Sequence, residues 1–311
     1  MIKRIVIVLV GILVVVLGRG LFYYSGFYHA PPSEMPSYEH IAVPEAPSTE
    51  YSDTYEEGEG TILIDLAHDN DFDIEELNVL ISRLVSRGLT IKFLDKEDDL
   101  EKELLDKEEG NLEEELLDKE EGDLEEELPV ADAFIIVCPQ GQFSAEERGA
   151  VDEFVNNGGK LLLIADPTRS SEMNSISVKF GLVFEPGYLY NMKENDANYR
   201  NIFVTQFTEN EITKNLERIA LYTASSISSD NWSIAFVDEN TLSSVIETRK
   251  GLSPIALSNE SNVLTIYDLT FITEPYNGIL DNNQLISNIA NWLTSPAEEE
   301  VEEEEEAEET E

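Results

Sequence analysis

Four short apolar runs constrain this chain most: "TILIDLA" (61–67), "LTIKFLD" (89–95), "ADAFIIVCP" (131–139) and "KLLLIADP" (160–167). Each is continuous rather than alternating, the pattern of strands covered on both faces in a parallel sheet. Helical patterns separate them. "DIEELNVLISRLVSRG" sets Leu77, Leu80, Ile81 and Leu84 at helical spacing and stops at Gly88. "SAEERGAVDEFVNNGG" opens with Ser144, closes a capping box with Glu147 and stops at Gly158-Gly159. This alternation predicts an α/β fold, an open, mostly parallel sheet with helices on both faces. A last helix is predicted over 281–295, capped by Asp281 or Asn282, with Ile286, Ile289, Ala290 and Leu293 toward the core. Between Asp166 and that helix, "NIFVTQF", "RIALYTASSI", "WSIAFV", "SPIALS" and "SNVLTIYDL" read as strands of open pairing. "EPGYLYNMKENDANYRN" reads as a loop.

The flanks differ from this core. Ile5–Gly18 has no polar side chain and follows Lys3 and Arg4. Continued to Tyr24 it reaches about twenty residues, enough for a hydrocarbon layer of roughly 30 Å. Arg19 can snorkel, and Phe22, Tyr23 and Tyr24 suit the interface. The expectation is a single-pass anchor in the cell membrane, with the bilayer as partner through residues 5–24; a cleaved signal peptide is the alternative. Lys3 and Arg4 favour a cytoplasmic N-terminus and an extracytoplasmic domain. The sequons at Asn231 and Asn259 suit that side. The expected organisation is an anchor (1–28), a stalk (29–60) with five prolines, eight acids and no Lys or Arg, one α/β domain (61–295), and a disordered Glu-rich tail (296–311).

The formal net charge of -45 belongs mostly to attachments. An insert at 94–128 holds 19 acids against 4 lysines, in three units: "LDKEDDLEKEL", "LDKEEGNLEEEL" and "LDKEEGDLEEEL". Its leucines are locally helical in spacing. A twelve-residue step rotates the stripe by about 120° per unit, which with Gly110 and Gly122 disfavours a long coiled coil. No calcium-loop series is present. The acid excess and scattered bases argue against nucleic acid as partner. The lone Cys138 excludes a disulfide scaffold and a cysteine-rich zinc module.

Open parallel sheets bind ligands beyond the carboxyl ends of their strands. There the sequence delivers Asp65, His68 and Asn70, then Cys138, then Asp166 and Thr168, and finally Asp268. Asp65, His68, Cys138 and Asp166 are the catalytic candidates, and Asp65, His68 and Asp166 the weak metal candidates. Zinc sites usually take more nitrogen or sulfur ligands. Cys138 before Pro139 reads first as a buried structural thiol, and His68 first as a loop histidine bonded to an Asp. No glycine follows the first strand, so a phosphate-binding fingerprint is absent, and no nucleophile-elbow motif occurs. The binding candidates are Asn70, Thr168, Asp268 and the cluster Tyr188, Tyr190, Tyr199 and Arg200, the last suited to a peptide, a sugar or a partner surface. No cofactor is indicated.

"ILIDLAHDNDFDIEELNVLISRLVSRG", "ADAFIIVCPQGQFSAEERGAVDEFVNNGGKLLLIADPT" and "YDLTFITEPYNGILDNNQLISNIANWL" resemble a group of membrane-linked domains with a class I glutamine amidotransferase-like fold, related to auxiliary proteins of gliding-type ABC transport systems. The resemblance covers roughly 61–93 and 131–295. In true glutamine amidotransferases a nucleophilic cysteine follows the strand after the Gly-Gly turn. Here Asp166-Pro167-Thr168 holds that place, and no histidine occurs after His68. The resemblance therefore implies a non-catalytic accessory domain that binds a ligand or partner, in a transport-related complex. The alternative is a metal-dependent or Cys/His hydrolase built around His68.

Overall fold

The computed structural model describes residues 2–24, 51–55, 57–95, 124–229, 231–245, 251–258 and 262–295. The chain divides into two compact units, Met1–Ala46 and Pro47–Glu311. In the first, helix α1 (Ile2–Tyr24) contains a stretch, Lys3–Phe22, long and apolar enough to cross a membrane, and none of it is buried. One such helix is consistent with single-pass attachment. Most of the expected stalk, the repeat units over 96–123, the tail and the sequon at Asn259 lie outside the described residues.

The strands of the second unit are β1 (Thr61–Asp65), β2 (Thr90–Leu94), β3 (Ala133–Val137), β4 (Lys160–Ile164), β5 (Leu182–Phe184), β6 (Leu189–Asn191), β7 (Asn201–Phe207), β8 (Ile219–Tyr222), β9 (Ile227–Ser229), β10 (Ser233–Val237), β11 (Thr241–Ser243), β12 (Ile255–Leu257) and β13 (Val263–Ile266). Nine form one sheet in the order β2-β1-β3-β4-β13-β12-β10-β7-β8. The first five run parallel and the remaining pairings are antiparallel. The expectation of a mostly parallel sheet is thus corrected to a mixed sheet with a parallel core. Among the described residues after β4 no long helix separates the strands until α4, and short connections such as that from β12 to β13 give antiparallel neighbours.

Three longer helices cover the sheet: α2 (Asn78–Ser86), α3 (Ala145–Asn156) and α4 (Asn282–Thr294). Successive strand residues point to opposite faces, and the core divides accordingly. Ile62, Ile64, Ile135, Val137, Leu162 and Ile164 join Leu80 and Leu84 of α2 and Leu285, Ile289 and Trp292 of α4 in one cluster. Leu63, Phe134, Ile136, Leu161 and Leu163 join Val151, Phe154 and Val155 of α3 in another. β2 departs from this. It is one of the two sheet edges, its Thr90, Lys92 and Phe93 are exposed, and Lys92 pairs with Glu127 at 3.1 Å. A charged edge discourages pairing with other chains. The last repeat unit returns to the described residues at Leu124, and Leu124 and Leu128, four apart, are both buried on the α3 side.

The α3 start matches its sequence: Ser144 Oγ accepts from Glu147 N at 3.1 Å, and Glu147 Oε2 accepts from Ser144 N at 2.6 Å. The α4 start does not. Asp281 makes no cap bond; its carboxylate accepts from Glu217 N and Arg218 N, each at 2.8 Å. Asn282 bonds both backbone groups of Ala220, at 3.0 and 2.9 Å. Both residues stitch the helix to β8 instead of capping it. The segment expected as a loop contains β6, paired with β11. Two three-residue strands carry too short a period to read.

Candidate functional site at the carboxyl ends of the parallel strands

The connection from β1 leads to β2 on one side, and the next strand, β3, lies on the other. A crevice outside the carboxyl ends at such a reversal is where open α/β sheets place ligands. Asp65 ends β1, is fully buried, and organises the turn after it. Its Oδ1 accepts from Ala67 N at 3.1 Å and faces His68 Nδ1 at 2.9 Å, while its Oδ2 accepts from Asn70 Nδ2 at 3.1 Å. The Asn70 amide also donates to Val137 O at 2.8 Å, tying this turn to the end of β3. His68 O accepts from Gln140 N and Gly141 N, at 3.0 and 2.8 Å. A Cβ on Gly141 would sit 3.3 Å from that same oxygen, a tight contact that the turn would have to relax by a few tenths of an ångström to accept.

The His68 ring is 6% exposed and stacks on Phe143, ring centroids 3.7 Å apart. Its Nε2 lies 3.4 Å from Glu147 Oε1. Burial opposes charge on this imidazole, but hydrogen bonding and the field of Asp65, together with Glu147, raise its pKa above the usual value. Both ring nitrogens thus face carboxylates. Glu147 caps α3 with one oxygen and meets His68 with the other.

Cys138 follows β3 with φ of 42°, in the left-handed region that favours glycine. Its side chain is fully buried, and burial, with the nearby Asp166, pushes the thiol up to about 12. Reactive cysteines need thiolate character and access, and this one has neither. Asp166 does not meet His68 in any hydrogen bond or ion pair among the described residues. Its Oδ1 accepts from Thr168 N at 2.8 Å and Thr168 Oγ1 at 2.5 Å, and its Oδ2 from Leu269 N at 3.3 Å and Thr270 Oγ1 at 3.4 Å. Asp268 beyond β13 accepts from Tyr222 N and Thr270 N, and full burial, then Asp166, hold its pKa well above the carboxylate range. Among the described residues, no group of three His, Cys, Asp or Glu could hold a metal ion.

Tyr188, Tyr190, Tyr199 and Arg200 do come together. Tyr190 lies between the other two tyrosines, at centroid distances of 6.2 and 6.4 Å, and Arg200 stands 4.2 Å over Tyr188 and 5.7 Å over Tyr199. Asn191, missed in the sequence, braces this platform. It is buried, its amide donates to Asp238 Oδ1 and Thr241 Oγ1 at 3.0 and 3.1 Å, and its N–H donates to Tyr199 O at 2.8 Å. Asp238-x-x-Thr241, an Asx-type turn, was the available signal. The pair Arg169–Glu76, with Nη2–Oε1 at 2.5 Å, was also missed; it ties the loop after β4 to the turn before α2.

A cavity of about 860 Å³ lies at the other end of the strands, lined by residues including Gly58, Asp132, Gly159, Lys160 and Thr294, and by none of the candidates above.

No family model matches the chain, and no curated protein matches it. Solved structures match in fold. The mmIFT52 N-terminal domain has 13% identity and a TM-score of 0.59, over 75% of this chain and 97% of that one. A cytoplasmic protein from Salmonella typhimurium has 11% identity and a TM-score of 0.41 over 73% and 97%. A ThuA-like protein from Parabacteroides merdae has 10% and 0.39 over 79% and 93%. The first shows a shared α/β fold and says nothing of activity; the other two are too distant to add to it.

Proposed function

We propose that this chain is a membrane-anchored accessory domain that binds a ligand or partner without catalysis, within a transport-related membrane complex. In this reading α1 holds it to the bilayer, the fold is of the class I glutamine amidotransferase-like kind, and the aromatic–arginine platform meets the partner. The observation that carries it is the saturation of the strand-end groups. Asp65, His68 and Asn70 spend their polar atoms on one another, on Glu147 and on the backbone, Asp166 spends its own on Thr168, Thr270 and the backbone, and the Cys138 thiol is sealed. Tyr199, by contrast, is exposed, with Arg200 half-buried beside it. Clustered aromatics, here tilted and edge-on to one another, with a guanidinium suit recognition of peptide or sugar faces.

The test is purification of the full-length chain from its membrane in mild detergent. Recovery of a multi-span partner in fixed ratio, lost in Tyr190→Ala/Arg200→Ala, is the expected result; a monodisperse monomer in both forms sinks the reading. A Cys/His hydrolase has one observation on its side, the left-handed Cys138. Rapid alkylation of Cys138 in the folded chain at neutral pH would favour it.

A further inference from the structure

The residues ahead of β1 are seated like a bound peptide. Tyr51, Asp53 and Tyr55, alternate positions of a short segment, all contact the face made by α2 and α4. The Tyr51 hydroxyl donates to Gln284 Oε1 at 2.8 Å, and its ring lies 4.9 Å from the Arg83 guanidinium. Tyr55 lies 4.5 Å under the Arg87 guanidinium. Asp53 accepts from Arg83 at 3.2 Å and from both terminal nitrogens of Arg87 at 3.0 and 3.2 Å, and it also takes the Ser287 hydroxyl. Arg87 is fully buried, with its Nε donating to Asn291 Oδ1 at 2.8 Å. α2 supplies Arg83, the residue after it is Arg87, and α4 supplies Gln284, Ser287 and Asn291.

We propose that this face is a docking site for the segment Tyr51-Ser52-Asp53-Thr54-Tyr55, and that neighbouring copies of the chain exchange it, residues 51–55 of one copy seating on Arg83 and Arg87 of the other. Three observations support a second copy as the occupant. The chemistry is complementary, one buried and one half-buried guanidinium and two ring contacts meeting a carboxylate with an aromatic on either side, which is a modular form of peptide recognition. The segment joins β1 through a short link containing Gly58 and Gly60, and short hinge links are where chains exchange elements. Upstream, residues 25–50 connect it to α1 and span at most about 90 Å when extended, so copies in one bilayer lie within reach.

The test mixes two differently tagged full-length variants in detergent. Asp53→Arg keeps the site and spoils the segment; Arg87→Glu keeps the segment and spoils the site. Neither should capture another copy of itself. The mixture should give a 1:1 complex, because each chain supplies what the other lacks. Absence of that complex, with both variants retaining the wild-type far-UV spectrum, overturns the proposal. If either reversal unfolds the domain, Tyr51→Ala/Tyr55→Ala in the full-length chain replaces it. Its vacated site should bind a labelled peptide of residues 49–58, at least tenfold more tightly than the same peptide with Asn at 53. No saturable binding, or equal binding of the two peptides, also overturns it.

Discussion

His68 sits between two carboxylates and against a phenyl ring, and its behaviour with pH follows from that. Its folded pKa is raised from 6.5, so its contribution to stability is complete below that value and is lost as pH rises through the folded one. His68→Ala should cost about 2–3 kcal/mol at pH 6, since Asp65 then loses its buried partner, and clearly less at pH 9. Urea denaturation of both forms at the two pH values checks this; an equal cost at both would show that the ring acts by packing alone. Cys138 gives a second test at this scale. With its thiol pushed up to about 12 and fully buried, it should resist a thiol reagent at pH 8 in the folded chain and react at once in denaturant. Much of this was legible only in part. Asp65, His68 and Asn70 announce themselves by position after an apolar strand. Glu147 announced only a helix cap, because its second bond reaches a residue far away in sequence, where no local pattern records it.

Elements were legible in proportion to how local their causes are. β1, β3, β4 and α3 each carry their own signal, a sealed apolar run or a capping box, and the structure places them within about three residues of it. β6 and β11 depend on each other, and Asp281 depends on the chain near β8, so neither could be read from its own neighbours. The segment 51–55 looked like stalk because its partners lie some thirty and more than two hundred residues away. Its test belongs to this scale. The arginines and the Ser287 hydroxyl overcome burial and hold the Asp53 carboxyl below its ordinary 3.8, so its contribution is present above that value and lost as pH falls through the lowered one. Asp53→Asn should cost about 1–2 kcal/mol at neutral pH, and the gap to wild type should close toward pH 3, as thermal melts at the two pH values can read.

At the scale of the molecule, the helix and the domain are separate units. Removing residues 1–46 should move the protein from the membrane to the soluble fraction and leave the melting temperature of the domain unchanged. A fall of several degrees would show that the domain leans on its anchor. The charge also sorts at this scale. The most acidic stretches lie in the insert and the tail, while the sheet domain is built from sealed apolar layers.

Gly58, just before β1, lies against Thr294 in the last turn of α4, so close that a Cβ on the glycine would meet the threonine methyl at 2.5 Å. The domain therefore closes like a ring with its two ends touching, and the order in which its parts are made is separable from the shape they adopt. A permuted chain that joins residue 295 to residue 51 through a linker, so keeping the 51–55 segment on Arg87, and starts and stops within the acidic insert, should fold to the same sheet. Such a domain can also be lifted out and set into a loop of an unrelated protein, entering and leaving at one point.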